Sequence, residues 1–220
     1  MGLLVGGPAW CVDAIGRVFE GATQFEGLPH RRGTGGGLRF DGPVSTWRDD
    51  PVGRLAFEEV PFTDPRVQRL VEEVQAYYVV LYGNPDESPV DPAQFDPPAG
   101  RFLLGTVGGE PVAMGGWRMR PDLDQVLGAR GAEVKRMFVS PKARRRGHAL
   151  ALLTALEESA RYAGADLAVL ETGTEQPDAI ALYERAGYTP TVRFGHYAGS
   201  PTARYFAKRF TGVARGRQEP

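Results

Sequence analysis

The chain has 220 residues, 42% of them hydrophobic, and a formal net charge of −1 from 26 basic and 27 acidic residues. That length carries one α/β domain with a substantial core, and the balanced charge removes any bulk electrostatic case for a nucleic-acid or membrane partner. A single cysteine, Cys11, excludes an internal disulfide and a cysteine metal cluster; no apolar run approaches the roughly 18 residues of a membrane span, and a reducing cytoplasm is the expected location.

Residues 1–50 hold 11 of the 29 glycines and no sustained period of two or 3.6. They are expected to be a mobile or non-native extension. Order begins near Arg54. Leu55 to Val60 reads as a first strand. Val67, Leu70, Val71, Val74, Tyr77, Tyr78 and Leu81 then recur at i, i+3, i+4 spacing and predict an amphipathic helix. Asn84 to Gly100 is a proline-rich loop with one helical turn between Val90 and Phe95, and loops of this length inside a domain are usually functional. Arg101 to Val107 and Glu110 to Met119 predict a hairpin around Gly108-Gly109.

The apolar run Val134 to Val139 is a strand that ends at Ser140-Pro141. An amphipathic helix pattern from Ala149 to Ala163 follows. Between them stands Arg144-Arg145-Arg146-Gly147-His148-Ala149. Unpaired backbone N–H groups at a helix N-terminus, with three guanidiniums beside them, suit a polyphosphate. Charge-assisted hydrogen bonds there contribute roughly 1.5–3 kcal/mol each. Further on, residues 165–171 read as a short buried strand, and Pro177 to Tyr188 as a helix with proline at its start and glycine at its stop. Thr191 to Phe194 and Ala203 to Phe210 read as a closing strand pair, and 211–220 as a flexible tail.

The arginine loop is neither a GxxxxGK-Ser/Thr loop nor the GxGxxG of a dinucleotide fold. Its pattern, Q/R-x-x-G-x-G/A, resembles the pyrophosphate loop of the GNAT superfamily of N-acetyltransferases. The helix around Ala179, Leu182, Tyr183 and Gly187-Tyr188 resembles that superfamily's second motif. The resemblance covers about Arg54 to Phe210. It implies a mixed, mostly antiparallel sheet flanked by helices (the acyl-CoA N-acyltransferase fold), with acetyl-CoA as cosubstrate and no metal.

Residue by residue, the resemblance implies that Arg144, Arg145, Arg146, Gly147, His148 and Ala149 hold the pyrophosphate, with His148 as an exposed loop residue. The main chain of Met137, Phe138 and Val139 would meet the pantetheine and the thioester carbonyl, from a strand that bulges away from its neighbour. Tyr183 would donate a proton to the thiolate or hydrogen-bond the sulfur. Gln176 stands where the family commonly has an asparagine that contacts the pantetheine arm; its amide offers the same donor and acceptor on a longer stem. Glu133, eleven positions before Arg144, matches the offset of a catalytic glutamate in the histone-acetylating branch. It is either a base for the amine, with ordered water as the alternative, or a carboxylate paired with Lys135 and Arg136.

Trp117 and Arg118 are candidates for lining the acceptor pocket. Tyr77, Tyr78, Tyr82, Asp86 and Glu87 would suit a cationic amine by charge pairing and cation–π contact, or serve as core aromatics beside a solvated acidic turn. Tyr188 reads as core. His30 and His196 lack metal-ligand spacing, and Cys11 lies outside the folded region, which favours direct attack in a ternary complex over an acyl-cysteine. The expected partner is a small-molecule or peptide amine, with neither nucleic acid nor membrane; a homodimer is the commonest closed assembly. Two other readings stand beside this one: a non-catalytic acyl-CoA sensor, and a nucleic-acid module using Lys142 and the three arginines, with steep salt dependence.

Overall fold

A computed structural model describes residues 55–211 except 87 and 89. The expectations for residues 1–50, for Cys11, His30 and Glu87, and for the tail beyond 211 lie outside the described residues.

The strands are β1 (Leu55–Glu59), β2 (Gly100–Val107), β3 (Glu110–Met119), β4 (Gly131–Val139), β5 (Leu167–Gly173), β6 (Thr189–Pro190) and β7 (Ala203–Arg209). The helices are α1 (Pro65–Tyr82), α2 (Asp124–Leu127), α3 (His148–Tyr162) and α4 (Pro177–Arg185). Seven strands form one sheet in the order β1-β2-β3-β4-β5-β7-β6. Every neighbouring pair is antiparallel except β4 and β5.

Local chemistry sets these elements. Asp64 caps α1 by accepting from the Arg66 N–H at 2.8 Å, Pro65 opens its first turn, and Gly83 ends it at φ 84°. Buried Val67, Leu70, Val74 and Tyr78 give α1 one apolar stripe. It packs on one face of the sheet with Phe62, Phe95, Phe102, Leu104 and Phe138. Helix α3 covers the other face through Leu152, Leu153, Leu156 and Ala160, joined by Leu182 and Tyr183 of α4 and by Trp117, Val134, Met137 and Val139 of the sheet. Burying each such aliphatic side chain contributes about 1.5–3 kcal/mol.

Two irregularities matter for function. The register of β3 on β4 runs Met114↔Phe138 and then Gly116↔Lys135, so Arg136 and Met137 stand against Gly115 alone. This is a β-bulge on β4, and Arg136 takes φ 61° within it. Gly116, beside the bulge, makes room for the Phe102 and Phe95 rings, since a Cβ there would lie 2.6 Å from a Phe102 ring carbon. The second irregularity is that the β4–β5 ladder ends early, with Gly131↔Leu167, Ala132↔Ala168 and Glu133↔Val169 its only pairs. Beyond Glu133 the two strands part.

The mixed, largely antiparallel architecture agrees with the expectation from sequence. The closing strand pair does not fall where it was expected. On its outer edge β7 pairs with Thr189 and Pro190, not Thr191 to Phe194. Pro190 has no N–H to continue a ladder, and after the Thr191 N–H meets the Tyr205 carbonyl at 3.0 Å the chain leaves the sheet for a turn at Gly195, φ 73°. The turn at Pro121–Leu123 and the short α2 behind it had no readable period in the sequence.

Candidate active site

The gap between β4 and β5 has two ends and two faces, and each sequence-derived candidate falls on one of them.

At its outer end, β4 runs through a 3-10 turn at Pro141–Ala143 into the arginine loop and α3. Arg145 and Gly147 take φ 63° and 79°, which turns successive backbone N–H groups toward one side. Gly147 is the residue before the first turn of α3, and no side chain caps the helix there. Its hydrogen is therefore needed for a left-handed backbone as well as for close ligand approach. A Cβ at this position would meet no protein atom within 4 Å, so the space faces outward. Arg144 is turned inward: its Nε donates to the Val139 carbonyl at 3.1 Å and its guanidinium lies 5.3 Å from the Tyr77 ring centre. Arg145 and Arg146 remain exposed. His148, expected as an exposed loop residue, is instead buried at the start of α3, and burial together with the Arg146 charge lowers its pKa. Ala149, next in the same turn, is buried as well.

On the α3/α4 face of the gap, Tyr183 is 1% exposed and packs against Tyr188 and Phe206, with ring centres 5.7 and 6.3 Å away. Phe206 pairs with Leu170 of β5, which sets Tyr183 over β5 just past the point of separation. Gln176 immediately precedes α4 and reaches toward the other face, where its Nε2 donates to the hydroxyl of Tyr82 on α1 at 2.8 Å. Its Oε1 is buried with no hydrogen-bond partner among the described residues, as is Thr172 Oγ1 on β5. Buried polar atoms are rarely left so. These two acceptors, with the N–H groups of the loop, are the groups that an amide-bearing, diphosphate-bearing arm would satisfy.

On the α1 face, Glu133 is 2% exposed and fully engaged. Its Oε2 accepts from Arg118 at 2.7 Å and from Arg120 at 2.6 Å, and Oε1 from Lys135 at 3.3 Å. Burial alone would raise its pKa, but the charges of Lys135, Arg118 and Arg120 together hold it below the usual glutamate value. Arg120 also binds Asp122 at 2.7 Å and lies over the Phe194 ring. Arg136, expected beside Glu133, turns instead toward Phe62 and the Ser88 carbonyl, and burial lowers its pKa to about 9.

Glu171 belongs to neither motif in the sequence. It lies on β5 two residues past the last β4 pair, 6% exposed, opposite Tyr205 of β7. The Tyr205 hydroxyl lies 3.4 Å from Glu171 Oε1 and 2.6 Å from the Tyr197 carbonyl. Burial pushes the Glu171 carboxyl up to about 7, and the nearby Lys135 charge offsets this only in part. A glutamate at the end of the aliphatic run Leu167 to Leu170, in a strand buried along its whole length, was the available signal.

The other aromatic candidates serve the interior. Trp117, expected at the acceptor pocket, lies on the opposite face, where its indole N–H donates to Ser159 of α3 at 2.9 Å. It follows the two-residue alternation of β3, which leaves Arg118 on the α1 face. Tyr78 is core, and Tyr188 is buried as expected. Asp86 accepts from the Ser88 N–H and the Tyr197 hydroxyl at 2.7 and 2.8 Å. His196 packs edge-on against Tyr197. Among the described residues no group of three or more His, Cys, Asp or Glu is arranged to hold a metal ion, and no helix is long and apolar enough to cross a membrane.

A sheet parted beyond its fourth strand, a bulge in that strand and a glycine-bearing loop into the next helix define the acyl-CoA N-acyltransferase fold. Residues 67–188 match the acetyltransferase (GNAT) family model, and the chain belongs to that family as an N-acetyltransferase. It is 35% identical over 150 residues to an IAA acetyltransferase of Azospirillum brasilense, covering 68% of this chain and 94% of that one. Among solved structures, an acyl-CoA N-acyltransferase of Klebsiella pneumoniae matches with a TM-score of 0.57 and 27% identity, over 70% of this chain and 97% of its own. The GNAT domain of a Streptomyces lividans protein, PAT, shares the fold at a TM-score of 0.55 and 21% identity, over 71% of this chain and 90% of its own.

Proposed function

We propose that this protein moves the acetyl group of acetyl-CoA to a primary amine by direct attack in a ternary complex. The observation that carries this is the division of labour across the β4–β5 gap. Tyr183 lies on one face, Glu171 and Lys135 on the other, Gln176 reaches from the start of α4 to Tyr82 of α1, and donor and acceptor meet between them.

The Gly147 turn and the N–H groups from Arg145 to Ala149 hold the pyrophosphate, with Arg145 and Arg146 adding charge from the rim. Arg144 holds the loop to β4. Because β4 pairs with β5 no further than Glu133, the gap-side main-chain groups of Met137, Phe138 and Val139 have no β5 partner, and they meet the pantetheine and polarise the thioester carbonyl. The open acceptor of Gln176 suits a pantetheine amide.

The amine arrives as an ammonium of pKa about 10 and must lose a proton before it can attack. Glu171, with a pKa near neutrality, takes that proton directly or through a water. Glu133 was the candidate from sequence offset, but a carboxylate held by three cations is a weak base. We assign it instead to positioning Arg118 and Lys135. The amine nitrogen then bonds to the carbonyl carbon, the C–S bond breaks as the nitrogen gives up its second proton to solvent, and the thiolate takes a proton from Tyr183, which regains one from solvent. A phenol of pKa about 10 lies about 2 kcal/mol uphill as donor to a thiolate of about 8.5. The Tyr183 hydroxyl therefore acts first as a hydrogen bond to the developing sulfur charge, and the proton follows.

The test is thiol release from acetyl-CoA with a panel of primary amines. Release that depends on an amine, with the N-acetyl product identified by mass spectrometry, supports the reading. Acetyl-CoA binding with no turnover on any amine would favour the sensor.

A further inference from the structure

Lys135 and Glu171 face one another across the mouth of the gap. The last parallel pair is Glu133↔Val169, and each of the two residues stands two positions further along its own strand. The two-residue repeat of a strand returns each side chain to the face used by that pair. For Lys135 this is the face of Glu133, whose Oε1 it meets at 3.3 Å. For Glu171 it is the face of Val169 and Leu167, both in the α1-side core. Had pairing continued, these two would have been the next pair on that face. A cation on one lip and a carboxylate on the other bracket the point where the strands open.

The ion pairs on this face leave Lys135 the least engaged cation. Glu133 and Asp122 pair with Arg118, Arg120 and Lys135, and Glu171 stands across from Lys135. Arg120 spends its donors on both carboxylates, and Arg118 spends its own on Glu133 and the Gln94 side chain. Lys135 makes the longest of the three contacts to Glu133, and an ammonium has three donors. Lys135 Nζ therefore keeps donors beyond its contact with Glu133.

We propose that the acceptor is an amino-acid-like zwitterion, its amine delivered to Glu171 and a carboxylate a few bonds away held by Lys135. Paired strands lie about 4.8 Å apart and separate further past the last pair. That leaves room for an amine and a carboxylate two or three bonds apart, with a hydrogen bond of about 2.8 Å at either end. A dication such as a polyamine would meet Lys135 with like charge. This inference rests on the acetyltransfer reading above.

The test compares matched acceptors at saturating acetyl-CoA: free α-amino acids, their carboxamides and simple polyamines. For the preferred side chain, kcat/KM for the acid should exceed that for the amide at least tenfold, mainly through KM, the worth of one charge-assisted hydrogen bond. Lys135→Met should lower kcat/KM for the acid at least tenfold more than for the amide, and Lys135→Arg should keep most of the preference. If Lys135→Met does not fold, the wild-type ratio and Lys135→Arg decide. Amides or polyamines turned over as well as the acids by the wild type would overturn the zwitterion and leave acetyltransfer standing. An acid preference undiminished in folded Lys135→Met would overturn the role of Lys135. No thiol release with any amine would remove the acetyltransfer reading and this proposal with it.

Discussion

Glu133 of β4 pairs with Val169 of β5, and no later pair joins these two strands. The separation begins one residue before Lys135 and two before the bulge at Arg136. Ladder termination, the bulge and the cation-bound carboxylate thus occupy one stretch of β4. Below Glu133 the sheet is continuous; above it, two strand edges line a cleft.

Replacing Tyr183 by Phe removes the hydroxyl and keeps the ring against Tyr188 and Phe206. The expected outcome is a fall in kcat of about 10²–10⁴-fold, with acetyl-CoA affinity and melting temperature near those of the wild type. Paired steady-state kinetics and calorimetry measure both. A kcat within a factor of a few would remove Tyr183 from the chemistry.

Glu171→Gln separates activity from stability. A carboxyl raised from 4.5 to about 7 on folding favours its neutral form. Its contribution to stability is complete below the ordinary value and is lost as pH rises through 7. The variant should therefore be more stable than the wild type at pH 8, by up to about 3 kcal/mol, while losing most of its activity. In the wild type, kcat/KM should rise with pH through about 7, and the variant should lack that limb. Urea titrations at pH 5 and 8 and a pH–rate profile test the two halves separately.

Glu133→Gln leaves Arg118, Arg120 and Lys135 around a neutral, buried amide. Breaking a buried ion cluster from one side costs about 3–5 kcal/mol, so a clear loss of stability at pH 7 is expected. Here the native pKa is lowered, so the wild-type advantage is present above the ordinary glutamate value and fades as pH falls through the native one. A variant as stable as the wild type at pH 7 would show that the three cations do not depend on this carboxylate.

Much of the fold was legible because α1 and α3 carry clean 3.6-residue stripes and the hairpin turns on two adjacent glycines. The loop and α4 were legible as motifs, being local in sequence. The acceptor face was not. Glu171 looked like the end of a buried strand, and only the early end of the β4–β5 ladder turns it toward an opening. Trp117 and Arg118 are neighbours in sequence and stand on opposite faces of β3, so their roles followed a strand parity that sequence alone did not fix at a bulged strand pair. His148 was read as loop because α3 starts one residue earlier than its apolar pattern. Arg144 reads as a phosphate ligand in a row of arginines, yet its contacts are with Val139 and Tyr77.

The donor site is the central claim, and calorimetric titration of acetyl-CoA into the wild type and Gly147→Val tests it most directly. A β-branched residue at φ 79° is strained and stands where the diphosphate must approach the backbone. Expected is one-to-one, micromolar binding by the wild type, weakened at least tenfold in a variant that remains folded. No saturable heat with folded wild-type protein, or equal affinity in the two proteins, would contradict a diphosphate held at Arg144 to Ala149.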